Sequence, residues 1–178
     1  MLNTLKHRNG EKKMEKIERK EERKMKDYRL VVNGWFAYKN DLPQYPAKVY
    51  EVREKAINCL FFKKAEKEGE KDKPLYKWVP VSQLLVRGDY NMLEGLAPDL
   101  FNHYKKCEIK NDFANDNKID VSINDFAIEK VSEKALYLVN DNVEKWVPKN
   151  CAIVEIPLSI VIDKLDLINK LGFLNDIN

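Results

Sequence analysis

The 178-residue chain offers few side chains for chemistry: two histidines, His7 and His103, and three cysteines, Cys59, Cys107 and Cys151. A Ser-His-Asp triad would have to use one of those histidines, and no serine stands in a Gly-x-Ser-x-Gly elbow. His103 and Cys107, four apart, have the spacing of two zinc ligands on one helical face, but two ligands are half a site and no CxxC accompanies them. Asp112, Asp116, Asp120 and Asp125 lack the glycine and terminal glutamate of an EF-hand, and read as a solvated linker. Neither GxGxxG nor GxxxxGK[ST] occurs, and Arg87-Gly88-Asp89 reads as a turn. The expectation is a protein that is not an enzyme, with no metal and no cofactor.

The aromatics are the chemically notable set. Ten of 18 lie between Tyr28 and Trp78. Read as a strand, Trp35-Phe36-Ala37-Tyr38 places Trp35 and Ala37 opposite Phe36 and Tyr38, and Tyr76 shares a face with Trp78 opposite Lys77. Rings turned outward beside lysines either anchor a protein interface or stack bases of a single strand, so Trp35, Tyr38, Tyr45, Tyr76, Trp78 and Lys77 are the candidate binding residues. Turned inward, the same rings would fill a core.

These residues sit on an internal repeat. Val52–Leu60 matches Val131–Val139, sharing Glu-Lys-Ala, and Lys77–Val86 matches Lys145–Val154, sharing Lys-Trp-Val-Pro. The copies differ by eleven residues, assigned to a charged loop at 63–73. In the second copy Ala135–Val139, Asn140-Asp141-Asn142 and Val143–Val147 spell strand, turn and strand, which predicts a β-hairpin. Pro80 and Pro148 should end their strands, with new ones at Leu84–Val86 and Ala152–Ile156. Tyr28–Val32 and Val49–Val52 read as strands, 98–107 as a short helix, and 111–120 as a polar linker. A C-terminal helix is expected from Pro157 to Gly172, with Leu158, Val161, Ile162, Leu165, Ile168 and Leu171 as its apolar stripe. The expected fold is a β-rich α+β protein of duplicated β-hairpin units forming small barrels. Its divisions are a charged tail at 1–27, a first unit at 28–90, a connector at 91–127, and a second unit with the closing helix at 128–178.

Charge is uneven. The net charge of +3 comes from residues 1–27, where ten basic groups meet six acidic ones; the remainder is net −1. The tail reads as a solvated helix whose Lys12, Lys13, Lys16, Arg19, Lys20, Arg23 and Lys24 could meet phosphates, although interleaved glutamates weaken its field. No apolar run is long enough to span a bilayer and no secretory signal is recognisable, so a cytoplasmic location without membrane contact is expected.

The second copy, from Lys134-Ala135 through Trp146-Val147-Pro148-Lys149-Asn150 to Ile156-Pro157, resembles a module of small phage and mobile-element proteins. That module has a Lys-Ala strand, a turn, a Trp-[Ile/Val]-Pro-Lys-Ser motif and an Ile-Pro-led helix. Asn150 departs from the serine; in the first copy Ser82 is present but Val81 replaces the lysine. The resemblance covers about 40 residues and implies a small phage-type accessory protein, with no catalytic residue carried over. A protein partner is the first expectation, as for an inhibitor or adaptor, and single-stranded nucleic acid the alternative.

Overall fold

The computed structural model describes residues 28–168; the charged tail, Leu171 and Gly172 lie outside them. In chain order the elements are β1 (Arg29–Val32), α1 (Gly34–Lys39), β2 (Lys48–Val52), β3 (Ala56–Lys63), β4 (Lys73–Pro80), β5 (Leu84–Asp89), α2 (Tyr90–Leu96), α3 (Leu100–His103), β6 (Lys106–Ile109), α4 (Asn111–Asp116), β7 (Ala127–Val131), β8 (Ala135–Val139), β9 (Glu144–Pro148) and β10 (Ala152–Pro157). Short 3₁₀ turns follow β4, β9 and β10. The protein is β-rich α+β. Its ten strands form three sheets, and no closed barrel is found among the described residues.

Two of the sheets are the repeated units. β2-β3-β4 and β7-β8-β9 are antiparallel meanders with matching irregularities, a bulge between Val49 and Glu51 in one and between Ile128 and Lys130 in the other. Trp78 pairs with Asn58, and Trp146 with Tyr137, at the same ladder position. The first hairpin is longer because Phe61, Phe62 and Lys63 continue the ladder to Leu75, Pro74 and Lys73. The inserted segment is therefore partly strand, and the connecting loop is residues 64–72.

The repeat also extends beyond what its sequence shows. β1-α1 before the first meander and β6-α4 before the second occupy the same structural place. Asn40 Nδ2 donates to the Phe36 carbonyl and Asn117 Nδ2 to the Phe113 carbonyl, each at 2.9 Å. Asp41 and Lys118, the residues that follow, both take φ of 53°. The amides of Leu42 and Ile119 then close each helix onto Ala37 and Ala114 at 2.8 Å. This left-handed exit is a common way to end a helix while satisfying its last carbonyls.

Trp35–Tyr38 is thus helical, not extended. The Asn33 side chain accepts from the Trp35 amide at 3.0 Å, and Ala37 is buried. Residues 98–107 hold only the four-residue α3. Cys107 lies in β6, drawn into a strand by its partner β10, so His103 and Cys107 share no helical face. The stretch read as a polar linker contains α4, which carries Asp112 and Asp116. Pro157 ends β10 rather than opening a helix; helix begins at 164, with Leu167 and Ile168 buried and Ile162 and Leu165 exposed. Of the expected apolar stripe, Leu158, Val161 and Ile168 are buried and Ile162 and Leu165 are not.

The third sheet joins the units in the order β1-β5-β10-β6, all antiparallel. Its centre has two-fold character. Arg87 and Glu155 occupy equivalent places in the two copies and pair directly with each other, while Val86 faces Ile156 and Gly88 faces Val154. Reciprocal contacts flank this seam: the 3₁₀ turn after β4 rests on the one after β10, and the one after β9 rests on α2. One apolar cluster runs through all three sheets, including Ile57, Phe61, Val79, Leu84, Val86, Leu136, Val147, Val154 and Ile156.

Two polar locks cross the seam. Arg87 bonds Glu108 and reaches Glu155 at 3.2 Å, and Lys106 lies 3.1 Å from Glu108. Burial pushes the Glu108 carboxyl up, but hydrogen bonds and charges from Arg87 and Lys106 outweigh it and hold the group below its ordinary value of 4.5. Lys149, buried among apolar neighbours, donates to both Glu94 oxygens at 3.0 and 2.9 Å and lies 5.8 Å from the Tyr90 ring centre. Arg87-Gly88-Asp89 is strand rather than turn. Asp89 caps α2 through the Met92 amide and accepts from the Tyr28 hydroxyl at 2.7 Å.

A Cβ on Gly88 would stand 2.2 Å from the Tyr28 ring. Gly88→Ala is expected to cost about 1–3 kcal/mol through overpacking, read as a lower urea midpoint. Since a depressed carboxylate contributes stability above its unfolded value and loses it as pH falls, urea midpoints should drop below about pH 4.5, and Glu108→Gln should flatten that dependence.

Candidate binding surface

Inward and outward positions alternate along the meanders. On β3, Ile57, Cys59 and Phe61 are buried, leaving Asn58, Leu60 and Phe62 on the other side; on β4, Val79 is buried and Tyr76 and Trp78 point outward. Tyr76 meets Tyr50 edge-on at 5.3 Å, and the Arg53 guanidinium lies 4.5 Å from the Trp78 ring centre. Tyr50, Phe62 and Tyr76 are each at least half exposed, whereas Trp78 is partly covered. Lys77 faces the opposite way but is exposed on the β4 edge. Glu51 shares the outward face and pairs with Arg53 at 3.2 Å. The Asn58 Oδ1, cross-strand from Trp78, is buried without a hydrogen-bond partner.

The second meander repeats the geometry with other chemistry. Tyr137 replaces Asn58 and lies 5.3 Å from Trp146, with Lys130 over its ring at 5.3 Å. The Tyr137 hydroxyl donates to Glu144 at 3.1 Å. Both repeated tryptophans are thus outward positions: Trp146 is 47% exposed, while its neighbour Val147 is fully buried.

α1 forms a separate aromatic patch. Helical spacing brings Trp35 and Tyr38 to one side, ring centres 6.4 Å apart, with exposures of 70% and 82%. Tyr45 stands elsewhere, against Arg29 at 5.7 Å. The structure therefore brings together Trp35 with Tyr38, and Tyr76 with Trp78, but does not gather all six candidates at one point. It adds Tyr50, Arg53 and Phe62, which the sequence reading passed over. Their signal was the β3 alternation that puts Phe62 opposite Phe61, and the bulge at Tyr50 that no local pattern announces.

Burial pushes the Cys59 and Cys107 thiols up to about 12, which suppresses the thiolate a nucleophile needs. His103 is exposed and held by Asp99 at 2.8 Å. Among the described residues no group of three His, Cys, Asp or Glu side chains is placed to hold a metal ion, and no helix is long and apolar enough to cross a membrane.

Comparison with protein families, curated proteins and solved structures finds no match, so the functional reading rests on the geometry above. The alternation of the second ribbon is itself testable. Trp146→Ala should change stability by less than about 1 kcal/mol, whereas Val147→Ala should cost about 2 kcal/mol, as measured by urea unfolding.

Proposed function

We propose that the chain is a non-enzymatic binding protein, an inhibitor or adaptor of the phage or mobile-element type, acting in the cytosol through a protein partner. The observation that carries this reading is the Trp35–Tyr38 pair. Two large rings stand on a six-residue helix whose exit is fixed by Asn40 and whose buried face is Ala37, so they are held outward on a rigid mount. Burying them on the chain's own core would require undoing that mount. Trp and Tyr supply large contact area at small cost in side-chain freedom, which is why they recur as interface anchors.

Charge supports a protein target for this patch. Lys39 is the one charged residue within α1, and Asp41 beyond it is paired with Lys63 at 3.0 Å. The field there is weak, and contact would be carried by apolar area.

Capture from cells that carry the protein should recover one stoichiometric partner. The Trp35→Ala/Tyr38→Ala double variant should weaken that capture at least tenfold while keeping the wild-type urea midpoint. Equal capture by the double variant would refute this surface.

A further inference from the structure

The geometry points to the outward face of β2-β3-β4 as a binding platform for single-stranded nucleic acid, separate from the α1 patch. Across residues 48–63 and 73–80 these strands carry six basic groups, Lys48, Arg53, Lys55, Lys63, Lys73 and Lys77, against Glu51 and Glu54. That is a net of +4 on a sheet whose outward face shows Tyr50, Phe62, Tyr76 and Trp78. The remainder of the chain past the tail has no net positive charge. Lys63, Lys73 and Lys77 alternate to the other side, Lys63 against Asp41, and add only to the overall charge of the sheet, whereas Lys48 and Arg53 stand on that outward face with the rings. This is the pairing that single strands require: every base has a π-face to stack, and each nucleotide brings a phosphate.

Spacing fits. Tyr76 and Trp78 are two residues apart on one strand face, roughly 6.7 Å, about twice the ~3.4 Å rise per nucleotide of a stacked strand. The rings would therefore take up bases of an extended strand, or every second base of a stacked one. Arg53, already over Trp78, and Lys48, which pairs with Leu60 at the other end of the same face, stand where phosphates would run. Glu51 opposes this through its pairing with Arg53.

The second meander is a built-in control. It keeps the ladder position of the tryptophan, yet the equivalent residues 127–139 and 144–148 carry three basic and three acidic groups, a net of zero, and Glu144 is tied to the Tyr137 hydroxyl. The platform belongs to one copy of the repeat only, although both copies share the scaffold.

The test is fluorescence anisotropy of the full chain with labelled 20-nucleotide oligo(dT) and oligo(rU), and with a 20-base-pair duplex, at low and moderate salt. Both single strands, or one of them, should bind better than duplex. Trp78→Ala and Tyr76→Ala should each weaken binding about tenfold, Trp78→Tyr should retain most of it, and Arg53→Gln with Lys48→Gln should lower the salt slope. Trp146→Ala should change affinity less than twofold. Urea midpoints of each variant separate unfolding from lost contacts. No single-strand binding at low salt, preference for duplex, or equal losses from Trp78→Ala and Trp146→Ala would overturn the proposal. So would binding unaffected by the Tyr76→Ala/Trp78→Ala pair, which would place the contact in the charged tail, or protein capture that these substitutions abolish while no oligonucleotide binds. Since Trp35 and Tyr38 are untouched throughout, failure here leaves the α1 interface standing, and failure there leaves this platform standing.

Discussion

The antiparallel pairing of β5 with β10 is the contact on which the molecule depends. Each repeat contributes a three-stranded meander of modest area, and a sheet that small buries too little apolar surface to stand alone. By sending its next strand out of the meander into a common sheet, each copy lends the other the apolar face it lacks. The register centred on Arg87 and Glu155 makes the exchange reciprocal. A basic residue in one copy and an acidic one in the other occupy the same place, so two directly opposed, half-buried positions attract where identical residues would repel. The opposite signs of Arg87 and Glu155 favour this pairing of two like units within one chain.

Edge protection follows the same economy. The outer strands of the shared sheet are not left open: the Val32 amide donates to the Gln44 carbonyl beside β1, while Asn124 accepts from the Ile109 amide and donates to its carbonyl beside β6. Exposed ladder groups on these edges would invite further strands. The meanders, by contrast, turn one face to the shared core and leave the other outward, and there the two copies have drifted apart in charge and side-chain chemistry while keeping their backbone. A scaffold whose stability is supplied by the seam tolerates such change on its outer faces, because those residues carry little of the packing.

Reading the chain by pattern located the repeat, the second hairpin, and the strands at Leu84 and Ala152, since alternation and turn residues are local signals. It missed α1, β6 and α4 for a common reason. Trp35-Phe36-Ala37-Tyr38 has a strand former's composition, but Asn33 caps it, Asn40 closes it, and Ala37 is needed against the core. Lys106–Ile109 has no strong strand pattern and becomes a strand because β10 offers it a ladder. In each case the tertiary partner outweighs a weak intrinsic preference.

From the amino-acid order alone came the repeated segments, the β-rich class and the aromatic set, because these depend on composition and on periods of two. Tertiary structure alone decided that the repeated tryptophans face outward, that Trp35 and Tyr38 are neighbours, and that Arg53 lies over Trp78. Facing and adjacency depend on which side of each strand the shared core takes, and that side is fixed only when β5 and β10 meet across some seventy residues of intervening chain.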